Sequence, residues 1–149
     1  MIVEDQDGVR LELTGYLGRA ATVVAFFYTR CANPNKCSLT ITKLADLQRR
    51  LAEPGTLECQ LAAISYDPGY DRPARLTAYG RARGLRFDDT TRMFRAVEGH
   101  ERMRAWFGLR VGYNGSIVNQ HGIELYLVEP GPQISKTWAR IPWAVEEVS

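Results

Sequence analysis

Residues 22–37, TVVAFFYTRCANPNKC, carry an unbroken apolar run into a loop bounded by two cysteines. Residues 22–28 are mostly β-branched or aromatic, the composition of a central strand buried on both faces. Beyond the loop, apolar residues recur at Ile41, Leu44, Leu47 and Leu51, with Lys43, Asp46, Arg49 and Arg50 on other faces. That spacing predicts an amphipathic helix over 38–52, ended by Pro54-Gly55. Cys31 and Cys37 therefore lie between a buried strand and the first turn of a helix. The positive end of the helix dipole favours thiolate over thiol there, and Arg30 and Lys36 act in the same direction. Thiolates attack disulfides and bind soft metals, so the pair reads as a redox or metal-binding dithiol. Spacing alone leaves two alternatives open, a pair of unrelated structural cysteines or one structural disulfide, because Cys-x5-Cys is less specific than Cys-x2-Cys.

Outward from this stretch, residues 9–13 alternate as an edge strand does, and 14–18 are turn-rich. A second buried strand is expected over 57–66. Residues 67–73 form a loop and helix start, with Asp71 as N-cap and Pro73 in the first turn. That helix runs through Leu76 and Tyr79 and stops at Gly84. Periodicity leaves 92–97 open between strand and helix; a helix over 100–107 follows, with Met93 and Met103 read as core. Residues 112–120 read as a polar, Gly/Asn-rich loop ending at His121. A strand over 123–128, a turn over 129–132 and a partner strand over 133–140 close the chain as a hairpin. The whole reads as an α/β layered domain, a mixed sheet flanked by helices with a closing hairpin.

At 149 residues the chain is expected to form one domain, 1–149, with a single good core. A net charge of +2 implies no commitment to nucleic acid. The arginines scattered from Arg49 to Arg92 read as solvated surface, the alternative being a patch for an acidic partner. No stretch reaches the ~18 apolar residues of a membrane span, and there is no signal-like apolar region. A start directly at a strand-like segment fits a domain excised from a longer chain. Three cysteines do not make a disulfide scaffold, and Cys59, within LECQLAAISY, reads as an inert core residue.

Phe26-Phe27-Tyr28-Thr29-Arg30-Cys31, then Cys37, then Ser65-Tyr66-Asp67-Pro68 with Asp71, and finally His121 ahead of Tyr126-Leu127-Val128 follow a familiar order. Over roughly residues 8–131 the chain resembles the Sco/SenC family, thioredoxin-fold proteins associated with copper delivery to cytochrome c oxidase. The resemblance implies a thioredoxin-like fold and assigns 92–97 to a strand. It implies copper as Cu(I) or Cu(II), with Cys31, Cys37 and His121 as ligands and Cys31 and Cys37 as the redox dithiol. Two soft thiolates suit Cu(I), and an added imidazole suits Cu(II). Asp67 and Asp71 are then a partner-docking or redox-coupling loop, or else turn and capping residues. The implied partner is the copper subunit of cytochrome c oxidase or another copper or redox client. The implied setting is extracytoplasmic, with a membrane tether outside this domain.

Two departures stand out. The family pattern is Cys-x3-Cys, whereas five residues separate Cys31 from Cys37. The longer loop costs only roughly 0.2–0.4 kcal/mol in closure entropy, so it bears on ligand orientation more than on stability. Beyond Gly131 the tail does not resemble the family's closing helix. The competing reading is a thiol:disulfide oxidoreductase or redox-sensing domain without metal. Thioredoxin-type reductases carry a proline before the strand facing the dithiol, and residues 115–125 contain none. Thiol peroxidases place a proline ahead of their nucleophile, and none precedes Cys31.

Overall fold

The computed structural model describes residues 1–31, 37–55, 58–108, 111–114, 117–121 and 125–138. The elements run β1 (Ile2–Asp5), β2 (Arg10–Glu12), α1 (Leu13–Leu17), β3 (Thr22–Phe27), α2 (Cys37–Leu51), β4 (Gln60–Ser65) and α3 (Pro73–Ala82). Then follow β5 (Thr91–Glu98), α4 (His100–Phe107), β6 (Val111–Asn114), β7 (Ile117–His121), β8 (Leu125–Glu129) and β9 (Gln133–Trp138). Seven strands form one open sheet in the order β2-β1-β5-β4-β3-β8-β9. β3, β4 and β5 are mutually parallel, and β1 and β8 flank them antiparallel.

β3 is central, and every one of its residues is buried. Its alternation divides them between the two faces of the sheet. Val24 and Phe26 join the core with Leu13 and Leu17 of α1 and Met103 and Phe107 of α4. Val23, Ala25 and Phe27 join Ile41 and Leu44 of α2 and Leu76 and Tyr79 of α3. The result is a thioredoxin-like three-layer domain, as expected from the buried apolar strand and the resemblance. The closing hairpin is present as β8 and β9, with Glu129 paired to Gln133; residues 139–140 of its expected partner strand lie outside the described residues. Met93 and Met103 are core.

Three expectations need correction. β1 was not anticipated, because half of it is acidic; Glu4 and Asp5 are nevertheless buried, through ion pairs to Arg95 at 2.7 Å and Arg92 at 3.2 Å on β5. The segment read as turn-rich 14–18 is largely α1, opened by Glu12, whose carboxylate accepts from the Thr14 N–H at 3.2 Å. Residues 112–120 are not a loop throughout: β6 and β7 pair antiparallel, with Val111 opposite His121 and Asn114 opposite Ile117.

α3 packs closely on β5 through Gly80. A Cβ there would stand 2.6 Å from Met93 Sδ and 2.7 Å from Phe87 Cζ, and Met93 is fully buried. Gly80→Ala is therefore expected to destabilise by about 1–2 kcal/mol, overpacking outweighing alanine's better helix propensity. Urea unfolding of the two proteins checks the sign.

Candidate functional site

β3 and β4 end side by side, with Phe27 opposite Ser65, so the segments leaving their carboxyl ends share one corner. In open α/β sheets ligand chemistry gathers outside these strand ends. Thr29, Arg30 and Cys31 leave β3; Asp67 to Asp71 leave β4. Asp71 is fully buried and joins the two segments. Its carboxylate accepts from the Thr29 N–H at 3.1 Å, from the Ser65 hydroxyl at 2.5 Å, and from the Thr29 hydroxyl. Burial pushes its pKa up, and the Ser65 and Thr29 hydrogen bonds pull the other way. Asp67, also buried, takes both Nε and a terminal nitrogen of Arg30, at 2.8 and 2.6 Å. The residues immediately before Cys31 are thus pinned from two sides.

The capping role expected of Asp71 is corrected by this geometry. The N-cap of α3 is Arg72, which makes no side-chain cap, while Pro73 takes the first turn as expected. Asp71 points back to β3 instead, because Thr29 and Ser65 offer it three donors.

Cys37 is the first residue of α2 and is fully buried; Cys31 is half-buried against the same core cluster. Both act on the same two tyrosines. The Tyr28 hydroxyl is raised by burial first, then by the nearby Cys31 and Cys37 thiols and Asp67, and it hydrogen-bonds the Cys31 side chain. The Tyr79 hydroxyl is pushed up to about 12, mainly by burial, partly offset by Arg83, with Cys37, Cys31 and Asp71 adding to the rise. Both cysteines therefore lie near the same two tyrosines and border one core cluster. Tyr79 stacks on Phe27 at 5.4 Å and carries the Arg83 guanidinium 3.5 Å from its ring centre. Arg83 also donates to the Ser38 hydroxyl at 3.0 Å, tying α3 to the start of α2. The buried Tyr79 hydroxyl has no partner among the described residues. The sequence placed Tyr28 in the buried strand run and Tyr79 on a helix, since apolar patterning marks burial and not what a hydroxyl faces.

The remaining expected site residues divide. His121 ends β7, opposite Val111, and its side chain lies outside the described residues, as do Pro34 and Lys36. Cys59 stands just before β4, at the opposite end of the strand from Asp67, half-buried at the wall of a cavity of about 410 Å³. Cys37, the first residue of α2, is the most buried of the three, and the expectation of a core Cys59 is corrected to a half-buried one. Burial pushes the Cys59 thiol up, so it stays protonated and slow to react. Iodoacetamide at pH 8 is expected to label Cys31 first, with Cys37 and Cys59 slower; mass mapping over time reads the order.

The sequence matches the SCO1/SenC family over residues 3–142. The chain belongs to this family. Solved structures agree in fold with this Sco-type chain. A SCO1/SenC family lipoprotein from Bacillus anthracis superposes with a TM-score of 0.81 at 21% identity, over 99% of this chain and 88% of that one. Arabidopsis thaliana ScoI with copper bound gives 0.76 at 19% identity, over 99% and 90%. Yeast Sco1 with copper bound gives 0.76 at 19%, over 99% and 83%. Comparison with curated protein sequences finds no match.

Proposed function

We propose that this Sco-type chain binds copper through Cys31, Cys37 and His121 and serves a copper-site client, as metallochaperone or as thiol reductant. The observation that carries the reading is that Cys31 and Cys37 border one core cluster at the strand-end corner of an SCO1/SenC domain. The donor set suits the ion: two thiolates are soft ligands for Cu(I), and an imidazole extends the site to Cu(II). Among the described residues no group of three His, Cys, Asp or Glu side chains forms a metal cluster; His121 enters as third ligand from the family resemblance. The client is the copper subunit of cytochrome c oxidase or a similar copper or redox protein, met on the extracytoplasmic side with the domain held near the membrane. As a reductant the chain would pass two electrons and two protons from Cys31 and Cys37 to a client disulfide, closing its own.

The substitution that tests His121 is His121→Ala. It is expected to abolish the Cu(II)–thiolate charge-transfer band while weakening Cu(I) binding less, because the thiolates supply most of the soft-metal affinity. An unchanged Cu(II) spectrum would remove His121 from the site. The second reading, a metal-free thiol:disulfide domain, is favoured by the five-residue spacing between Cys31 and Cys37. It predicts a reversible disulfide between these two in a protein that takes up no copper.

A further inference from the structure

The rim of the dithiol corner is cationic, and it is built around one tyrosine. Tyr70 is one of two large hydrophobic residues that stand exposed among the described residues, at 36%. The Arg30 guanidinium lies 4.1 Å from its ring centre and that of Arg75 4.0 Å. Both guanidinium groups are thus held against the Tyr70 ring. Arg72, exposed, precedes α3 beside them, and Arg83 holds the start of α2 next to Cys37. The unmatched charge of this rim is that of Arg72 and Arg75, because Arg30 is neutralised by Asp67. Asp67 is buried and occupied by Arg30, and Asp71 is buried and occupied by Thr29 and Ser65. Arg72 and Arg75 make no ion pair among the described residues.

We infer that this Arg30–Tyr70–Arg75 stack, with Arg72, is a docking surface for an acidic polypeptide segment flanking the client's own thiols. The inference rests on reading Cys31 and Cys37 as a dithiol that meets a protein. Tyr70, Arg72 and Arg75 all stand exposed, in the loop before α3 and on its first turn, which offers an extended anionic chain a surface to lie across. Tyrosine and arginine are the residue types that concentrate binding energy at protein interfaces. Cation–π stacking holds the arginines in place and lowers the entropy lost on docking. A single-sign surface beside the reacting sulfurs also raises encounter rates with an oppositely charged partner.

The test uses fluorescence anisotropy with labelled, cysteine-free peptides of alternating Glu and Ser or alternating Gln and Ser. The Glu peptide is expected to bind at least about tenfold more tightly than the Gln peptide at low salt and to weaken as salt rises. The double variant Arg72→Glu, Arg75→Glu is expected to lose that tenfold. A matched reversal at the far end of the sheet, Arg19→Glu with Arg86→Glu, is expected to keep it. Equal binding of both peptides, or equal loss in both double variants, would overturn the surface. Tighter binding of phosphatidylserine vesicles through the same arginines would overturn the polypeptide assignment in favour of a membrane. The peptides need neither copper nor disulfide exchange. A protein that binds the Glu peptide but no copper therefore overturns only the copper reading, and the converse overturns only the surface.

Discussion

Asp71→Ala is expected to destabilise the domain by about 3 kcal/mol, because it strands three donors in a fully buried corner. The Thr29 N–H is the most exposed to this loss, since a backbone donor cannot rotate toward another acceptor. The effect reaches the chemistry as well, because Thr29 stands two residues before Cys31 and its anchor fixes where the loop starts. Asp71→Asn is the informative partner variant. Its amide oxygen can take the Thr29 N–H and its amide nitrogen can donate to a rotated hydroxyl, so a loss of about 1 kcal/mol is expected. The pH dependence separates the two contributions. Burial raises the Asp71 pKa, so the folded chain keeps this proton to higher pH than the unfolded one. The contribution of this group is therefore greatest below the ordinary carboxylate value and falls as pH rises through the raised one. Urea unfolding between pH 3.5 and 7 should show this slope in the difference between the native protein and Asp71→Asn, since Glu12 and Asp88, both held below the ordinary carboxylate value, contribute the opposite slope in each.

Phe26→Ala should cost more still, about 3–5 kcal/mol, and lower the melting temperature by about 10–15 °C. Phe26 is fully buried in the central strand, stacked on Tyr66 at 5.4 Å and met edge-on by Phe107 at 4.9 Å and Tyr126 at 5.7 Å. Its removal opens a void between β3, α4 and β8 that these rings cannot close without leaving their own contacts. The cysteines sit with the other core face, so the chemistry of Cys31 should survive at temperatures where the variant remains folded. Differential scanning calorimetry with alkylation at 20 °C reads both quantities.

The parts of this fold that were legible in the sequence are those where burial is apolar. Residues 22–28 announce a central strand because both faces of the sheet are covered, and the spacing from Ile41 to Leu51 announces the helix that covers one of them. β1 was not legible, since its buried Glu4 and Asp5 are matched by arginines some ninety positions away, which no local pattern records. The β6–β7 pair carried a signal that was passed over: Asn114-Gly115 is a strong hairpin dipeptide, outweighed in the reading by the polar character of 112–120. At the site, the resemblance grouped Cys31, Cys37, Asp67 and Asp71; in the structure the two cysteines border one core cluster, and Asp67 and Asp71 bind Arg30 and Thr29 just before Cys31. The direction Asp71 faces was not legible, because an Asp before a Pro-led helix looks like a cap until Thr29 is seen to lie nearer. An arginine patch was only the alternative reading of the sequence, because Arg30, Arg72 and Arg75 are brought together by the loop before α3 and the end of β3.

Anaerobic titration of the fully reduced protein with Cu(I), against a competing chelator, tests the central claim most directly. The account predicts one equivalent of tightly held Cu(I), lost when Cys31→Ser and Cys37→Ser are combined and retained in Cys59→Ser. No chelator-resistant Cu(I) in the native protein, or binding that survives loss of both Cys31 and Cys37, would contradict it.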